Sequence, residues 1–137
     1  MKEVIEIPQA IIDAIVRQAC DELPDEACGL LAGVDNTVKK RFPLENVDHS
    51  PEHFSFDPRE QFRVLKEARA EGLRILANYH SHPSTPARPS DEDIRLAFDP
   101  DFLYLIVSLA GEQPVIRAFA RTAEGGMTPV KIICLPK

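Results

Sequence analysis

The sequence predicts an α/β (α+β) fold in which a mixed β-sheet lies between helices in three layers. Residues 8–23 and 57–72 carry apolar side chains at helical spacing, and about six short β-rich runs alternate with these helices. This interleaving favours a sheet flanked by helices over a helix bundle or an all-β sandwich. The chain has 137 residues, of which 44% are hydrophobic and 28% charged, so we expect one domain over residues 1–137 with one core.

The first half of the chain contains a helix, two strands and a loop. In the first helix, Pro8 lies near the first turn and Pro24 lies beyond the end. Residues 27–33 and 37–44 predict two strands joined through residues 34–36. The next segment, NVDHSPEHFSF, reads as a loop that leads toward a candidate short strand.

The second half begins with a helix whose ends are marked by specific residues. Asp57 is the predicted N-cap, Pro58 occupies the first helical position, and Gly72 ends the helix. The following elements are a buried strand, a proline-rich loop, a short helix and three β-rich runs, at residues 74–80, 81–89, 90–98, 102–109, 114–121 and 129–135.

Charge and cysteine content argue against several function classes. Lys plus Arg is 16 against 22 for Asp plus Glu, a net charge of −6, so nothing favours nucleic acid or an anionic membrane as a partner. Glu3, Glu6 and Asp13 interrupt the first apolar run, which therefore predicts neither a secretory signal nor a membrane span. The three cysteines form no C-x-x-C pair and fit no disulfide framework. We expect a cytoplasmic protein.

Two histidines at the end of a predicted strand form the first part of a candidate metal site. His80 and His82 are two residues apart, and such residues point to the same side of an extended segment. Both imidazoles can therefore face one point. An H-x-H pair alone is more often an ordinary polar strand end, so this interpretation depends on a further ligand.

Asp93 is the candidate third ligand. Ten residues separate it from His82, and it lies in the first turn of the predicted short helix. Ser90 and Asp93 also fit a capping box, which needs no metal. Two imidazoles and one carboxylate, however, leave a tetrahedral zinc ion with one position for water, as in catalytic sites. The sequence therefore predicts one Zn²⁺ per chain, bound by His80, His82 and Asp93.

A zinc hydrolase also needs a group that accepts a proton from water and delivers it to the leaving amine. Glu26 is a candidate because it enters a small-residue apolar strand, where burial raises the pKa of a carboxyl group. Asp21, Glu22 and Asp25 belong to the same acidic group at the end of the first helix. Spacing alone does not choose Glu26 over these neighbours.

Glutamate at position 26, H-S-H-P at 80–83 and S-D-E-D at 90–93 together resemble the JAMM motif of MPN-domain metalloproteases. That motif has a glutamate, then H-x-H, ten residues and an aspartate, with a serine three residues before the aspartate. The flanking P-x-E-x-C-G-L-L and H-P-x-x-P-A-R-P-S resemble the single-domain prokaryotic branch. The resemblance covers roughly residues 4 to 121.

This resemblance implies a fold, a site and a reaction. The fold is a mixed sheet between helices, similar to that of cytidine deaminases. His80, His82 and Asp93 would bind zinc, Glu26 would act as general base and then general acid, and Ser90 would stabilise the oxyanion. The expected reaction is hydrolysis of a peptide or isopeptide bond after the C-terminal glycine of a ubiquitin-like or sulfur-carrier protein with a Gly-Gly tail.

Other residues and other functions receive less support. His49 and His53 are interpreted as surface histidines, Cys28 as an inert buried thiol, and Phe54 and Phe56 as core anchors. A zinc deaminase requires H-x-E with P-C-x-x-C, and a thermolysin-like protease requires H-E-x-x-H; the sequence has neither pattern. A non-catalytic MPN scaffold that binds a partner is the alternative function.

Overall fold

The computed structural model describes residues 3–97, 99 and 101–136. This part of the chain forms seven strands and three helices, which confirms the predicted α+β class. In chain order the elements are β1 Val4–Pro8, α1 Gln9–Asp21, β2 Cys28–Val34, β3 Thr37–Leu44, α2 Pro58–Ala70, β4 Arg74–His82, α3 Asp91–Leu96, β5 Leu103–Ser108, β6 Val115–Arg121 and β7 Met127–Leu135. None of these helices has the length and apolar character needed to cross a membrane.

The strands form one mixed sheet in the order β1-β3-β2-β4-β5-β6-β7, which closes because β1 also pairs with β7. The β1–β3, β1–β7 and β4–β5 pairs are parallel, and the other four pairs are antiparallel. Strand β1 is not predicted from the sequence. This strand has only five residues, and its pairing with β7 depends on residues at the other end of the chain.

Helices cover both faces of the sheet, as the three-layer prediction requires. Ile15 and Ala19 of α1 belong to one core, which also contains Leu31 of β2. Val64 of α2 belongs to a second core together with Leu30, the residue that precedes Leu31. Because successive side chains of a strand point to opposite faces, these two leucines place α1 and α2 on opposite sides of the sheet.

Most element boundaries agree with the sequence. The Asp57 carboxylate caps α2 by accepting a hydrogen bond from the Arg59 N–H at 2.8 Å, and Gly72 follows the helix with φ of 75°. Strand β4 continues to His82, two residues farther than predicted. The β3–α2 loop, residues 45–57, contains no strand. Phe98, the last residue of the predicted short helix, lies outside the described residues.

Candidate metal centre

Strand β4 carries both histidines, and its alternation sets their direction. Asn78, His80 and His82 point to one face of the sheet, whereas Tyr79 points to the opposite face and belongs to the α1-side core. β2 pairs with β4 in an antiparallel register that places Cys28 opposite His80. The two imidazoles therefore lie together on the face that does not carry α1.

The same ladder brings Glu26 to the site. Beyond the Cys28 pair, the Ser81 N–H donates to the Ala27 carbonyl at 2.9 Å, and the Ser81 hydroxyl accepts from the Ala27 N–H at 2.8 Å. An antiparallel register continued by one more residue places Glu26 opposite His82. Glu26 is therefore on the face of the sheet that carries the two histidines.

The imidazole nitrogens and the Asp93 carboxylate converge as predicted. The Nε2 atoms of His80 and His82 are 3.1 Å apart, and Asp93 Oδ2 lies 3.2 Å from the first and 3.1 Å from the second. His80 is 3% exposed and His82 is 5% exposed. Among the described residues, these three side chains form a group that can hold a metal ion.

The triangle of three donor atoms fits a tetrahedral cation. Metal–ligand bonds of about 2.0–2.1 Å at tetrahedral angles give ligand–ligand distances of roughly 3.3 Å. The observed sides are 3.1, 3.1 and 3.2 Å, so the three atoms form one face of such a tetrahedron. The fourth vertex is then available to a water molecule or a substrate oxygen.

Hydrogen bonds outside the triangle hold two of its members in place. His82 Nδ1 donates to the Pro86 carbonyl at 2.9 Å, which puts the ring proton on Nδ1 and leaves the Nε2 lone pair for a cation. Asp93 Oδ2 accepts from the Ser90 N–H at 2.9 Å, and Ser90 Oγ accepts from the Asp93 N–H at 3.0 Å. The predicted capping box at the start of α3 is thus present.

The pKa values of His80 and Asp93 favour their ligating forms, whereas that of His82 favours its charged form in the metal-free protein. Burial lowers the pKa of His80 below its ordinary value, so this ring is neutral. Burial also opposes the charged form of His82, but hydrogen bonds to Asp93 and Pro86 outweigh it and raise the His82 pKa. Burial acts to raise the pKa of Asp93, and hydrogen bonds from both imidazoles overcome it and hold this pKa well below its usual range. Asp93 therefore remains a carboxylate.

Glu26 lines a cleft next to the triangle. The cleft has a volume of about 450 Å³, and His82 and Ser90 also line it. Glu26 is only 4% exposed. Burial raises the pKa of its carboxyl from 4.5 to about 8, with His82 acting to lower it and Asp93 to raise it. A carboxyl with this pKa can both accept and donate a proton near neutral pH.

Asn46, which the sequence analysis does not identify, connects Glu26 to the β3–α2 loop. Its side chain is buried, and Nδ2 donates to the carbonyls of Glu26 at 3.0 Å and His53 at 2.8 Å. Its Oδ1 accepts from the Asp48 N–H at 3.0 Å, while the Glu26 N–H donates to the Ser50 carbonyl at 2.8 Å. Asparagine often forms turns by bonding to the backbone N–H two residues later, so the turn at Asn46 could be predicted from the sequence. Its hydrogen bond to Glu26 could not.

The aromatic and histidine residues of the same loop behave differently from one another. Phe56 packs against the α2-side core as predicted, but the prediction for Phe54 is wrong, because its ring stacks on His80 with centroids 4.6 Å apart. His49 and His53 are both exposed, and His53 Nδ1 pairs with a Glu92 carboxylate oxygen at 2.7 Å. The loop thus contacts both a histidine of the triangle and helix α3.

Cys28 is buried beside the site, and its thiol is unreactive. Burial raises the pKa of its thiol to about 12, with Glu22 and Glu26 adding to the effect. A thiol with this pKa stays protonated at neutral pH and is a poor nucleophile. This agrees with its interpretation as a small hydrophobic residue.

Comparison with known proteins assigns the family. Residues 8–122 match the family described as prokaryotic homologs of the JAB domain. The chain belongs to this family. The resemblance to JAMM and MPN-domain proteins that the Glu26, H-S-H-P and S-D-E-D pattern carries is therefore confirmed.

Relatives of known function are named as peptidases or as enzymes that cleave conjugates. The chain is 33% identical over 135 residues to the CysO-cysteine peptidase of Mycobacterium tuberculosis, covering 95% of this chain and 92% of that protein. It is 32% identical over 127 residues to the desampylase of Pyrococcus furiosus, covering 93% of this chain and 88% of that one. These names support the prediction that this chain is a hydrolase.

Solved structures share the JAB fold. Protein DSY2949 from Desulfitobacterium hafniense has a TM-score of 0.88 and 46% identity, covering 97% of this chain and 94% of that one. AF2198 from Archaeoglobus fulgidus, a JAB1/MPN domain protein, has a TM-score of 0.61 and 22% identity, covering 94% of this chain and 99% of that one. The second likeness concerns the fold alone, and it confirms the predicted MPN architecture.

Replacement of Asn46 by alanine tests its role in the β3–α2 loop. Asn46→Ala leaves buried backbone groups without partners, so we expect a loss of about 1–3 kcal/mol in the free energy of unfolding, measured with urea. Gln113→Ala removes an exposed amide in the β5–β6 turn and is expected to change stability by less than about 0.5 kcal/mol. Equal stability of the two variants would contradict the proposed connection.

The raised pKa of Glu26 predicts how stability depends on pH in metal-free protein. The unfolded chain releases this proton near pH 4.5, whereas the folded protein keeps it up to a pH of about 8. The folded state binds more protons in this window, so the contribution of Glu26 to stability falls as pH rises from about 5 to about 8. Glu26→Gln removes this dependence, and its advantage over wild type should grow with pH by the order of a few kcal/mol.

Urea unfolding at several pH values in the presence of a chelator measures this difference. Glu124→Gln, at an exposed turn, is the matched control and should keep the wild-type slope. A Glu26→Gln variant whose stability runs parallel to wild type across the window would show that Glu26 is ionised in the folded protein.

Proposed function

We propose that this protein is a zinc metallopeptidase that hydrolyses a peptide or isopeptide bond after the C-terminal glycine of a small ubiquitin-like or sulfur-carrier protein. The observation that carries the proposal is the triangle of His80, His82 and Asp93 donor atoms, with sides of 3.1–3.2 Å, beside a cleft that Glu26 also lines. Two nitrogen ligands and one carboxylate with one open position are typical of catalytic zinc.

The residues around the triangle supply the proton transfers. When bound, zinc supplies Lewis acidity, which lowers the pKa of water toward about 7 and polarises a carbonyl. The Glu26 carboxylate accepts the proton of the attacking water and then donates it to the leaving amine. Glu26, whose pKa is about 8 in the metal-free protein, would be a carboxylate at neutral pH once a cation is bound beside it.

Ser90 has a role compatible with its position at the start of α3. Its Oγ accepts the Asp93 N–H at 3.0 Å, and its own O–H remains free to donate. Ser90 also lines the cleft that contains Glu26. Donation from this hydroxyl to the developing oxyanion stabilises charge that grows during the reaction.

The relatives support the substrate class. They are named CysO-cysteine peptidase, desampylase and probable TtuB-protein conjugate cleaving protease. These names support a conjugate of a small protein as the substrate. The Gly-Gly tail, joined to cysteine or to a protein lysine, is what the resemblance to the JAMM motif implies.

Incubation of the zinc-loaded protein with Gly-Gly-tailed carriers, extended by cysteine or joined to a lysine, tests the proposal, with mass spectrometry of the products. Release of the intact carrier ending in Gly-Gly is expected. A purified chain that binds no stoichiometric zinc and cleaves neither substrate would instead favour the non-catalytic MPN scaffold.

Glu26→Gln is expected to lower kcat by about 10²–10⁴-fold while zinc content stays at one per chain, because the residue moves protons and does not bind the metal. Glu52→Gln is the matched control, since Glu52 lines the same cleft and is exposed. Zinc content is measured by elemental analysis alongside turnover. An unchanged kcat in Glu26→Gln would remove this residue from the mechanism.

His82→Ala is expected to weaken zinc binding by several orders of magnitude, because one of three protein ligands is lost. Competition with a chromophoric chelator measures the affinity, and thermal unfolding verifies that the variant folds. His49→Ala, an exposed histidine of the β3–α2 loop, should bind zinc as wild type does. Wild-type affinity in His82→Ala would contradict the proposed ligand set.

A further inference from the structure

Two buried side-chain atoms in the described part of the chain have no hydrogen-bond partner there. These atoms are Asn78 Oδ1 and His80 Nδ1. Buried polar atoms in folded proteins are nearly always paired with protein or with ordered water. We therefore expect each of these two atoms to have a hydrogen-bond partner.

Both residues line the same small cavity, whose volume is about 50 Å³. Most of its remaining wall is apolar and includes Phe54, Ile106 and Met127.

The other polar groups of the cavity wall already have partners. The Tyr104 hydroxyl donates to the Asp99 carbonyl at 3.0 Å, and the Glu92 carboxylate pairs with His53 at 2.7 Å. Asp93, which also lines the cavity, directs its Oδ2 at the Ser90 N–H and at the two imidazoles. A water molecule inside the cavity is the partner that remains for Asn78 Oδ1 and His80 Nδ1.

Asn78 and His80 are neighbours on one face of strand β4. Residues two apart on a strand are about 6.6 Å apart along the backbone and point to the same face. A cavity needs about 10–15 Å³ to hold one water, and this cavity exceeds that size. The cavity that both residues line therefore has room for a water molecule that contacts both side chains.

We propose that this cavity is a binding site for a structural water that bridges His80 Nδ1 and Asn78 Oδ1 and accepts the Nδ1 proton when Nε2 binds a cation, and that Asn78 is a positioning residue for His80. The consequence for zinc rests on the function proposed above. When Nε2 binds a cation, the ring proton resides on Nδ1 and needs an acceptor. The Nδ1 proton of His82 is accepted directly by the Pro86 carbonyl at 2.9 Å, and the water is the corresponding acceptor for the Nδ1 proton of His80.

Asn78→Leu tests this inference, because it keeps the number and branching of the side-chain heavy atoms and removes the acceptor. Zinc affinity, measured by chelator competition, is expected to fall by about 10–100-fold, as for other partners of metal-binding histidines. Asn78→Asp keeps an acceptor and should stay within a few-fold of wild type. Met127→Leu changes an apolar residue of the same cavity and is the matched control. A merely structural role would lower stability in Asn78→Leu without this rescue by aspartate.

A high-resolution crystal structure of metal-free wild type gives a readout that is independent of zinc. Density for an ordered water between Asn78 Oδ1 and His80 Nδ1, lost in Asn78→Leu, is the expected result. A cavity without such density, or wild-type zinc affinity in Asn78→Leu, would overturn the inference and leave the proposed function standing. If wild type binds no zinc, the proposed function fails, and the crystallographic water alone decides the water site.

Discussion

The register between β2 and β4 is the constraint on which the site depends. A slip of β4 by one residue against β2 would turn His80 and His82 toward the face where α1 packs, away from Glu26. The bonds between Ala27 and Ser81 fix this register at the end of the ladder, where Ser81 uses both its N–H and its hydroxyl. Because both faces of the sheet are covered by helices, a slipped register would also bury polar side chains in an apolar core.

The same atoms serve the start of α3 and the candidate metal site. Asp93 Oδ2 accepts the Ser90 N–H and also faces the two imidazoles, which a carboxylate oxygen with two lone pairs permits. In the sequence, a capping box and a metal ligand are competing interpretations of Ser90 and Asp93. In the structure they are compatible. Helix α3 has only six residues and therefore few internal hydrogen bonds, so the capping box is a large part of what stabilises its first turn.

Features with local signals were predictable from the sequence, whereas those made by distant contacts were not. Helix α2 follows from the cap at Asp57 and the stop at Gly72, and the convergence of the three candidate ligands follows from motif spacing. Strand β1 was missed because its pairing with β7 lies at the other end of the chain. The stacking of Phe54 on His80 was also missed, since an aromatic residue in an alternating segment reads as a core residue.

Three contacts tie the β3–α2 loop to its surroundings: Asn46 with Glu26, Phe54 with His80, and His53 with Glu92. A segment anchored in this way is a fixed wall and not a lid, because lifting it would carry Glu26 away from the imidazoles. If the function proposed above holds, the polypeptide tail of a substrate would enter over the other rim of the cleft, where Ser84 and Thr85 are exposed. The shape of that rim would then select among tails without a closing motion.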